Sequence, residues 1–280
     1  MSSAQFDQQT RFLIDFQLTS VPALVGLDVP SPAAASILGV REDDLRTYLS
    51  QAEQCVRSTA TELLAQPELA SVIDQWPVSA GGSVMTVGDS ITIHRYGYAE
   101  ILRRMFALRR PADEIHLVNV AQSGYTSADG LLNTYTQYLS YQPDWAFIMY
   151  GCNDCKRLDG NRTLVSITEY RNNVADIVRA FQRHSAARIV LLTPTPVVEP
   201  MIDSDPDFQA ARLRWDNRDL AACAQAVQEL GNELDVPVID TFSAISNPNP
   251  AVYVEDGLHP NAEGQRIIST YLIRALMAVF

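Results

Sequence analysis

Five residues of this chain have the types and surroundings needed for acyl transfer: Ser90, Gly124, Asn153, Asp256 and His259. Ser90 stands in Gly88-Asp89-Ser90-Ile91, directly after the apolar run Val84-Met85-Thr86-Val87. A serine on a glycine-containing turn at a strand end is well placed to act as a nucleophile. Its hydroxyl is too weak an acid to attack a carbonyl unaided, so it needs an adjacent base. His259 can be that base, and afterwards the acid that protonates the leaving group. Asp256 precedes it by three residues in Asp256-Gly257-Leu258-His259-Pro260. At that spacing it can bond the far ring nitrogen, set the tautomer and stabilise the imidazolium. The negative oxygen of a tetrahedral intermediate needs donors, and the backbone N–H groups of Ser90 and Gly124 and the side-chain amide of Asn153 are the candidates. Glycine at 124 lets the backbone approach a substrate with no Cβ in the way.

The elements that must position these residues are legible as an alternation. Apolar runs at 83–87, 115–120, 145–150, 189–192 and 236–239 are short, rich in β-branched or aromatic residues and bounded by turn residues. Their lack of period-two alternation predicts strands buried on both faces. Helical stretches are predicted between and after them at 98–108, 131–139, 167–184, 219–234 and 262–279. Strands alternating with helices imply a parallel sheet, and right-handed crossovers give an α/β protein built as a three-layer α/β/α sandwich with five parallel strands. In such sheets ligands bind beyond the carboxyl ends of the strands. Ser90, Gly124, Asn153 and the Asp256/His259 pair all follow strand runs and so fall at that edge.

Residues 1–80 read as a separate helical region, divided from a catalytic domain at 81–280 by Trp76-Pro77-Val78-Ser79-Ala80-Gly81-Gly82. Phe12, Leu13, Phe16 and Val21 suggest a short amphipathic helix, broken at Pro30-Ser31-Pro32. Residues 42–66 repeat apolar side chains near a 3.6-residue period, and 69–76 add a turn or two. No catalytic signature is visible there. The region is expected to cap the main domain, with a substrate lid or a homodimer interface as the alternatives.

Other polar residues read as structural. Asp89, next to Ser90, and Asp154, next to Asn153, brace their turns. His94 is a rival base four residues after Ser90, but it has no aspartate at fixed spacing. His116 and His184 belong to a strand and a helix end. Tyr96, Tyr98, Tyr125 and Arg157 are candidates to line a pocket, and Thr193-Pro194-Thr195-Pro196 to shape its rim. Cys152-Asn153-Asp154-Cys155 is a C-x-x-C, yet no second cysteine or histidine pair completes a zinc site, so metal ligands: none. The pair is read as flanking Asn153 rather than as a redox motif.

Composition bounds the partners. A net charge of −12 with no Lys/Arg run, and Lys156 as the sole lysine, argues against nucleic acid and anionic membrane surfaces. Four cysteines in 280 residues are not a disulfide scaffold. Residues 1–10 lack a basic n-region and an apolar h-region, and no window approaches 18 uninterrupted apolar residues, so a cytoplasmic location is expected. Nucleotide-binding glycine motifs, His-Glu-x-x-His and the Gly-x-Ser-x-Gly elbow are missing from the sequence.

Taken together, the four blocks resemble the SGNH hydrolase superfamily, the GDSL esterase/lipase family. The first is Gly88-Asp89-Ser90-Ile91, with Ile where the family name has Leu. The second is Asn119 to Ser127, whose Ser123-Gly124-Tyr125-Thr126-Ser127 is close to the bacterial thioesterase/lysophospholipase branch. The third is Gly151-Cys152-Asn153-Asp154, and the last Asp256-Gly257-Leu258-His259-Pro260-Asn261. The resemblance covers about residues 83–280. It departs from the family in the long stretch before the first block. It implies a flavodoxin-like sheet and hydrolysis of esters or thioesters without metal or cofactor. The expectation is a serine ester hydrolase for small-molecule esters of short to medium acyl chains, with Ser90, Asp256 and His259 catalytic and Ser90, Gly124 and Asn153 as oxyanion hole. Carbohydrate O-deacetylation and acyl thioester or lysophospholipid cleavage are the alternatives on the same machinery. A non-catalytic binding module would ordinarily lack one of the five residues.

Overall fold

The computed structural model of the protein describes residues 6–18, 29–159, 162–246 and 248–279. Five strands, β1 (Ser83–Gly88), β2 (His116–Asn119), β3 (Trp145–Met149), β4 (Arg188–Leu192) and β5 (Val238–Ile239), form one sheet in the order β2-β1-β3-β4-β5. Every neighbouring pair is parallel, and Val84 sits in register with Leu117 on one side and Trp145 on the other. Each of the five expected apolar runs coincides with one of these strands, β1 and β4 each extending one residue beyond it. β3 is buried at every position, which is why its sequence shows no alternation. The chain steps outward from β1 to β2, then crosses back to β3. Beyond the carboxyl ends of β1 and β3 the crossovers diverge and leave a crevice.

Helices cover both faces. Ser127–Thr136, Ile167–His184 and Asn217–Leu234 pack side by side in one layer. Tyr98–Arg109, Ala262–Leu276, Glu42–Leu64 and Pro67–Gln75 form the other. Val56, Leu63, Leu69 and Ile73 of the latter pair belong to the same buried core as the sheet. Trp76 ends that stretch edge-on to Phe106 and Trp145, with ring centroids 5.2 and 5.6 Å apart.

Two helices differ from expectation by more than two residues at an end. The helix expected at 131–139 begins at Ser127, because Thr126 and Asp129 form a reciprocal capping box. The last helix ends at Leu276 rather than 279, with three further residues in a turn. A small antiparallel sheet of Arg157–Leu158, Arg162–Thr163 and Leu213–Arg214 was not expected, since two-residue strands carry no period to read.

The N-terminal helix Gln8–Phe12, capped by Asp7, runs on into a π-helical turn at Leu13–Gln17. Phe12 and Phe16, four residues apart, share a face, and Phe16 is buried. Leu13, expected on the same stripe, is 36% exposed because adjacent helical positions point in different directions. Val21 lies outside the described residues. Among the described residues no helix is long and apolar enough to cross a membrane.

Candidate active site

β1 runs out at Gly88, where the chain is too tightly enclosed for a side chain. A Cβ there would stand 2.5 Å from the Thr92 hydroxyl and 2.6 Å from the Met149 carbonyl oxygen. Asp89 then caps the one-turn helix Ser90–Ile93, its carboxylate accepting from the Ile91 N–H at 3.0 Å. Burial pushes the Asp89 carboxyl up to about 7, against the Ile91 bond and the charge of His259. It acts as the brace the sequence suggested. Ser90 is the first residue of that helix, so its N–H has no acceptor within the helix.

His259 reaches Ser90 from the far end of the chain. Its Nε2 lies 2.8 Å from Ser90 Oγ, and its Nδ1 lies 2.6 Å from Asp256 Oδ2. The other oxygen of Asp256 accepts from the Leu258 and His259 N–H groups, at 2.8 and 3.0 Å. One carboxylate thus closes the turn and holds the imidazole. Burial raises the Asp256 pKa, but the His259 charge and these bonds outweigh it and leave the group below its ordinary value. Serine and histidine are each 4% exposed, so the hydrogen-bonded chain is sheltered from bulk water.

β3 leads through Gly151 to Asn153, whose Nδ2 donates to the Tyr125 carbonyl at 3.1 Å. That bond ties the second and third sequence blocks together and leaves the second amide hydrogen without a partner among the described residues. Gly124 has φ +86°, with nothing within 4 Å of where a Cβ would stand. Its glycine is therefore required by backbone conformation more than by crowding. Asp154 accepts from the Ser127 hydroxyl at 2.5 Å and its N–H at 3.0 Å, and Asn173 donates to the same hydroxyl at 3.0 Å. Burial raises the Asp154 carboxyl to about 6. Asp154 stitches the helix after Gly124 to the loop carrying Asn153.

His94 makes no side-chain hydrogen bond to Ser90. It is buried against Phe16, rings stacked at 4.5 Å, and burial together with the His259 charge lowers its pKa to about 3. It is therefore neutral at physiological pH. His116 and His184 are exposed and remote from the site. Tyr98 bonds Thr92 at 3.0 Å and Arg157 pairs with Asp219 at 2.7 Å, so of the suggested pocket residues Tyr96 lines the adjacent cavity while these two do not. Thr193 is tied under the sheet edge to Asp240 and to Phe242. Cys155 does not face Cys152; its Sγ lies 3.1 Å from that of Cys223, and the four cysteines are free thiols.

A family model for the GDSL-like lipase/acylhydrolase family matches residues 86–267. The chain belongs to this family. A GDSL esterase/lipase of Arabidopsis thaliana is 25% identical over 185 residues, spanning 64% of this chain and 72% of that protein. The Escherichia coli K12 protein named thioesterase 1/protease 1/lysophospholipase L1 is 22% identical over 212 residues, 75% of this chain and 90% of its own length. Among solved structures, an acetylxylan esterase from Geobacillus stearothermophilus matches with a TM-score of 0.57 and 21% identity over 71% of this chain and 95% of its own. At that identity the likeness concerns the fold.

The matched stretch of this GDSL-family chain begins after the N-terminal helices, yet those helices reach the site. A cavity of about 490 Å³ opens beside His259 and is lined by Phe12, Asp15, Phe16 and Tyr48 as well as His94 and Tyr96. Phe16 stands 4.5 Å and Phe12 6.0 Å from the His259 ring, centroid to centroid. Sequence reasoning assigned no site residue before Ser90. The available signal was the Phe12/Phe16 pair at helical spacing with an acid, Asp15, inside the apolar face.

Proposed function

We propose that the protein is a serine hydrolase of carboxylic esters. Ser90 Oγ attacks the ester carbonyl while His259 Nε2 takes its proton. Asp256 keeps the proton of the imidazole on Nδ1 and stabilises the ring once it is charged. The negative oxygen is received by the N–H groups of Ser90 and Gly124 and by the free amide hydrogen of Asn153. His259 then protonates the leaving alkoxide, and the alcohol departs. A water activated by the same histidine releases the acid from the acyl-enzyme. The observation that carries this reading is the continuous chain of hydrogen bonds from Asp256 through His259 to Ser90, at 2.6 and 2.8 Å.

Hydrolysis of p-nitrophenyl esters from acetyl to long-chain acyl, by wild type and Ser90→Ala in parallel, tests it. Turnover that disappears with Ser90 supports the reading, and a wild type inert towards every ester sinks it. The cavity walls favour uncharged substrates. Asp15, Asp205, Asp207 and Glu255 line it among aromatic rings, and its one arginine, Arg11, is paired with Glu255 at 3.0 Å. That lining supports uncharged esters, including carbohydrate O-acetyl groups, over lysophospholipids and other phosphate-bearing substrates, which meet like charge there.

A further inference from the structure

Hydrogen bonds hold the two ring nitrogens of His259, at 2.6 Å to Asp256 and 2.8 Å to Ser90. Such bonds tolerate a misalignment of about 30° before they weaken steeply, so they leave the imidazole plane room to swing. A swinging ring is stopped by what packs against it. For His259 part of that packing comes from outside the stretch that matches the family model, which begins at residue 86. The Phe16 ring lies 4.5 Å from the His259 ring, centroid to centroid, with the planes inclined at 39°. At that separation the two rings touch.

Phe16 also touches the element that carries the nucleophile. Its ring stacks on His94 at 4.5 Å and 20°. His94 closes the one-turn helix that Ser90 opens, and its N–H donates to the Ser90 carbonyl at 3.1 Å. One phenyl ring therefore bears on the turn of the nucleophile and on the ring of the base, two groups that are 169 residues apart in the chain. Burial keeps His94 neutral, so the stack sets no second charge beside the imidazolium that His259 becomes at each proton transfer.

The segment that supplies Phe16 is fixed where it stands. The Arg95 guanidinium donates to the Ile14 carbonyl at 2.9 Å, and the Arg95 N–H donates to the Asp15 carbonyl at 3.1 Å. Tyr48 donates to Asp15 Oδ2 at 2.8 Å. Arg11 pairs with Glu255, the residue before Asp256, at 3.0 Å, although both partners are exposed and the pair adds little energy. Ile14, two positions before Phe16 and so directed away from it, is fully buried among Ala34, Ala35 and Leu45. The helices Pro32–Leu38 and Glu42–Leu64 thus back the segment from behind.

We propose that Phe16 is a positioning residue for the catalytic base: packed on both His94 and His259, it holds the imidazole in line with Ser90 Oγ. The segment Gln8–Gln17 is thereby part of the catalytic unit. This rests on the esterase reading above and gives the N-terminal region a role in the reaction itself.

The test uses the full chain, p-nitrophenyl acetate and a fluorophosphonate ester. The latter forms a P–O bond to Ser90 Oγ and breaks its P–F bond, fluoride leaving while His259 takes the serine proton. Phe16→Ala is expected to lower kcat about 10²-fold, the cost of a catalytic group displaced by about 1 Å. KM should stay within about threefold of wild type, because the loss falls on proton transfer in the transition state. The rate of phosphonylation should fall by a similar factor, while the final labelling read by mass spectrometry stays complete. Phe16→Leu, which keeps apolar bulk without a flat ring, should lose about tenfold in kcat.

Complete but slow labelling separates positioning from mere support of the fold. Incomplete labelling, with the labelled fraction reacting at the wild-type rate, would mean that Phe16 only stabilises the protein. A KM raised about tenfold or more at unchanged kcat would make it a substrate contact, and a kcat within about threefold of wild type would leave it no part in the reaction. Each of these overturns the inference. Should Phe16→Ala fail to fold, Phe16→Leu decides by the same criteria. A wild type that cleaves no ester and takes no label removes the esterase reading and this inference with it. Turnover that vanishes in Ser90→Ala but survives in Phe16→Ala removes the inference alone.

Discussion

Replacing Asp256 with asparagine isolates what this carboxylate does, because the geometry dictates how the amide must sit. Oδ1 accepts two backbone N–H groups, from Leu258 at 2.8 Å and His259 at 3.0 Å. An asparagine oxygen can keep both bonds only from the same position. Its NH₂ then faces His259 Nδ1 at the place where Oδ2 now lies, 2.6 Å away. Nδ1 must become the acceptor, so the ring proton moves to Nε2, which can no longer take the Ser90 proton. Flipping the amide restores the working tautomer but sets NH₂ against two N–H donors. Two buried N–H groups losing their acceptor cost about 1–3 kcal/mol each, or about 2–6 kcal/mol together. The flipped fraction is then between about 1 in 30 and about 1 in 3 × 10⁴, since 1.36 kcal/mol is tenfold. We expect kcat on p-nitrophenyl acetate to fall by a factor in that range, with KM little changed because the carboxylate does not touch the bound ester. The turn keeps both its bonds, so the unfolding midpoint should move by less than about 4 °C. Initial rates at saturating substrate and a thermal scan in the same buffer measure both. An Asp256→Asn enzyme within threefold of wild type would refute the argument, and Asp89, the other buried carboxylate near His259, would become the partner to test.

Three further outcomes follow from the site and its supports. Asn153→Ala should lower kcat about 10²–10³-fold, as loss of one oxyanion donor does, and a decrease below threefold would remove Asn153 from that role. Asp89 holds a proton up to about pH 7 in the folded protein, chiefly through burial, against an ordinary value of 3.8. Its contribution to stability is complete below the unfolded value and is lost as pH rises through about 7. Asp89→Asn should therefore gain about 4 kcal/mol relative to wild type between pH 4 and pH 8, and parallel denaturation curves at the two pH values would contradict this. Among the thiols, hydrogen bonding to Cys223 and burial push the Cys155 pKa up, burial does the same for Cys152, and Cys223 is itself buried. A chromogenic disulfide reagent should titrate Cys55, the one partly exposed thiol, in the native protein and all four after denaturation, and rapid reaction of more than one native thiol would count against the packing.

The sequence by itself determined the sheet and the local turns. Strands covered on both faces have to be continuous apolar runs, and 145–150 could hardly be anything else. Asp256 and His259 are three residues apart, so a single turn closed by the Asp256 carboxylate suffices to bring them together. Three of the four motif blocks fall at strand ends and the fourth follows the last strand after a loop, and with them the family was legible before any coordinates. Short-period signals ran out where structure depends on partners. The two-residue strands at 157, 162 and 213 are held only by one another. The C-x-x-C spacing carried no sign of Cys223, whereas packing puts Cys155 against it, 68 residues away.

Tertiary structure alone decided the site's surroundings. Ser90 and His259 are 169 residues apart, and their contact depends on the whole crossover path of the sheet. The arrival of Phe12, Asp15 and Phe16 over His259 was invisible for a sharper reason. Periodicity reports that a helix has a buried face and is silent on what that face meets. Phe16 would read the same whether it filled a core or, as here, lay 4.5 Å from the ring of His259.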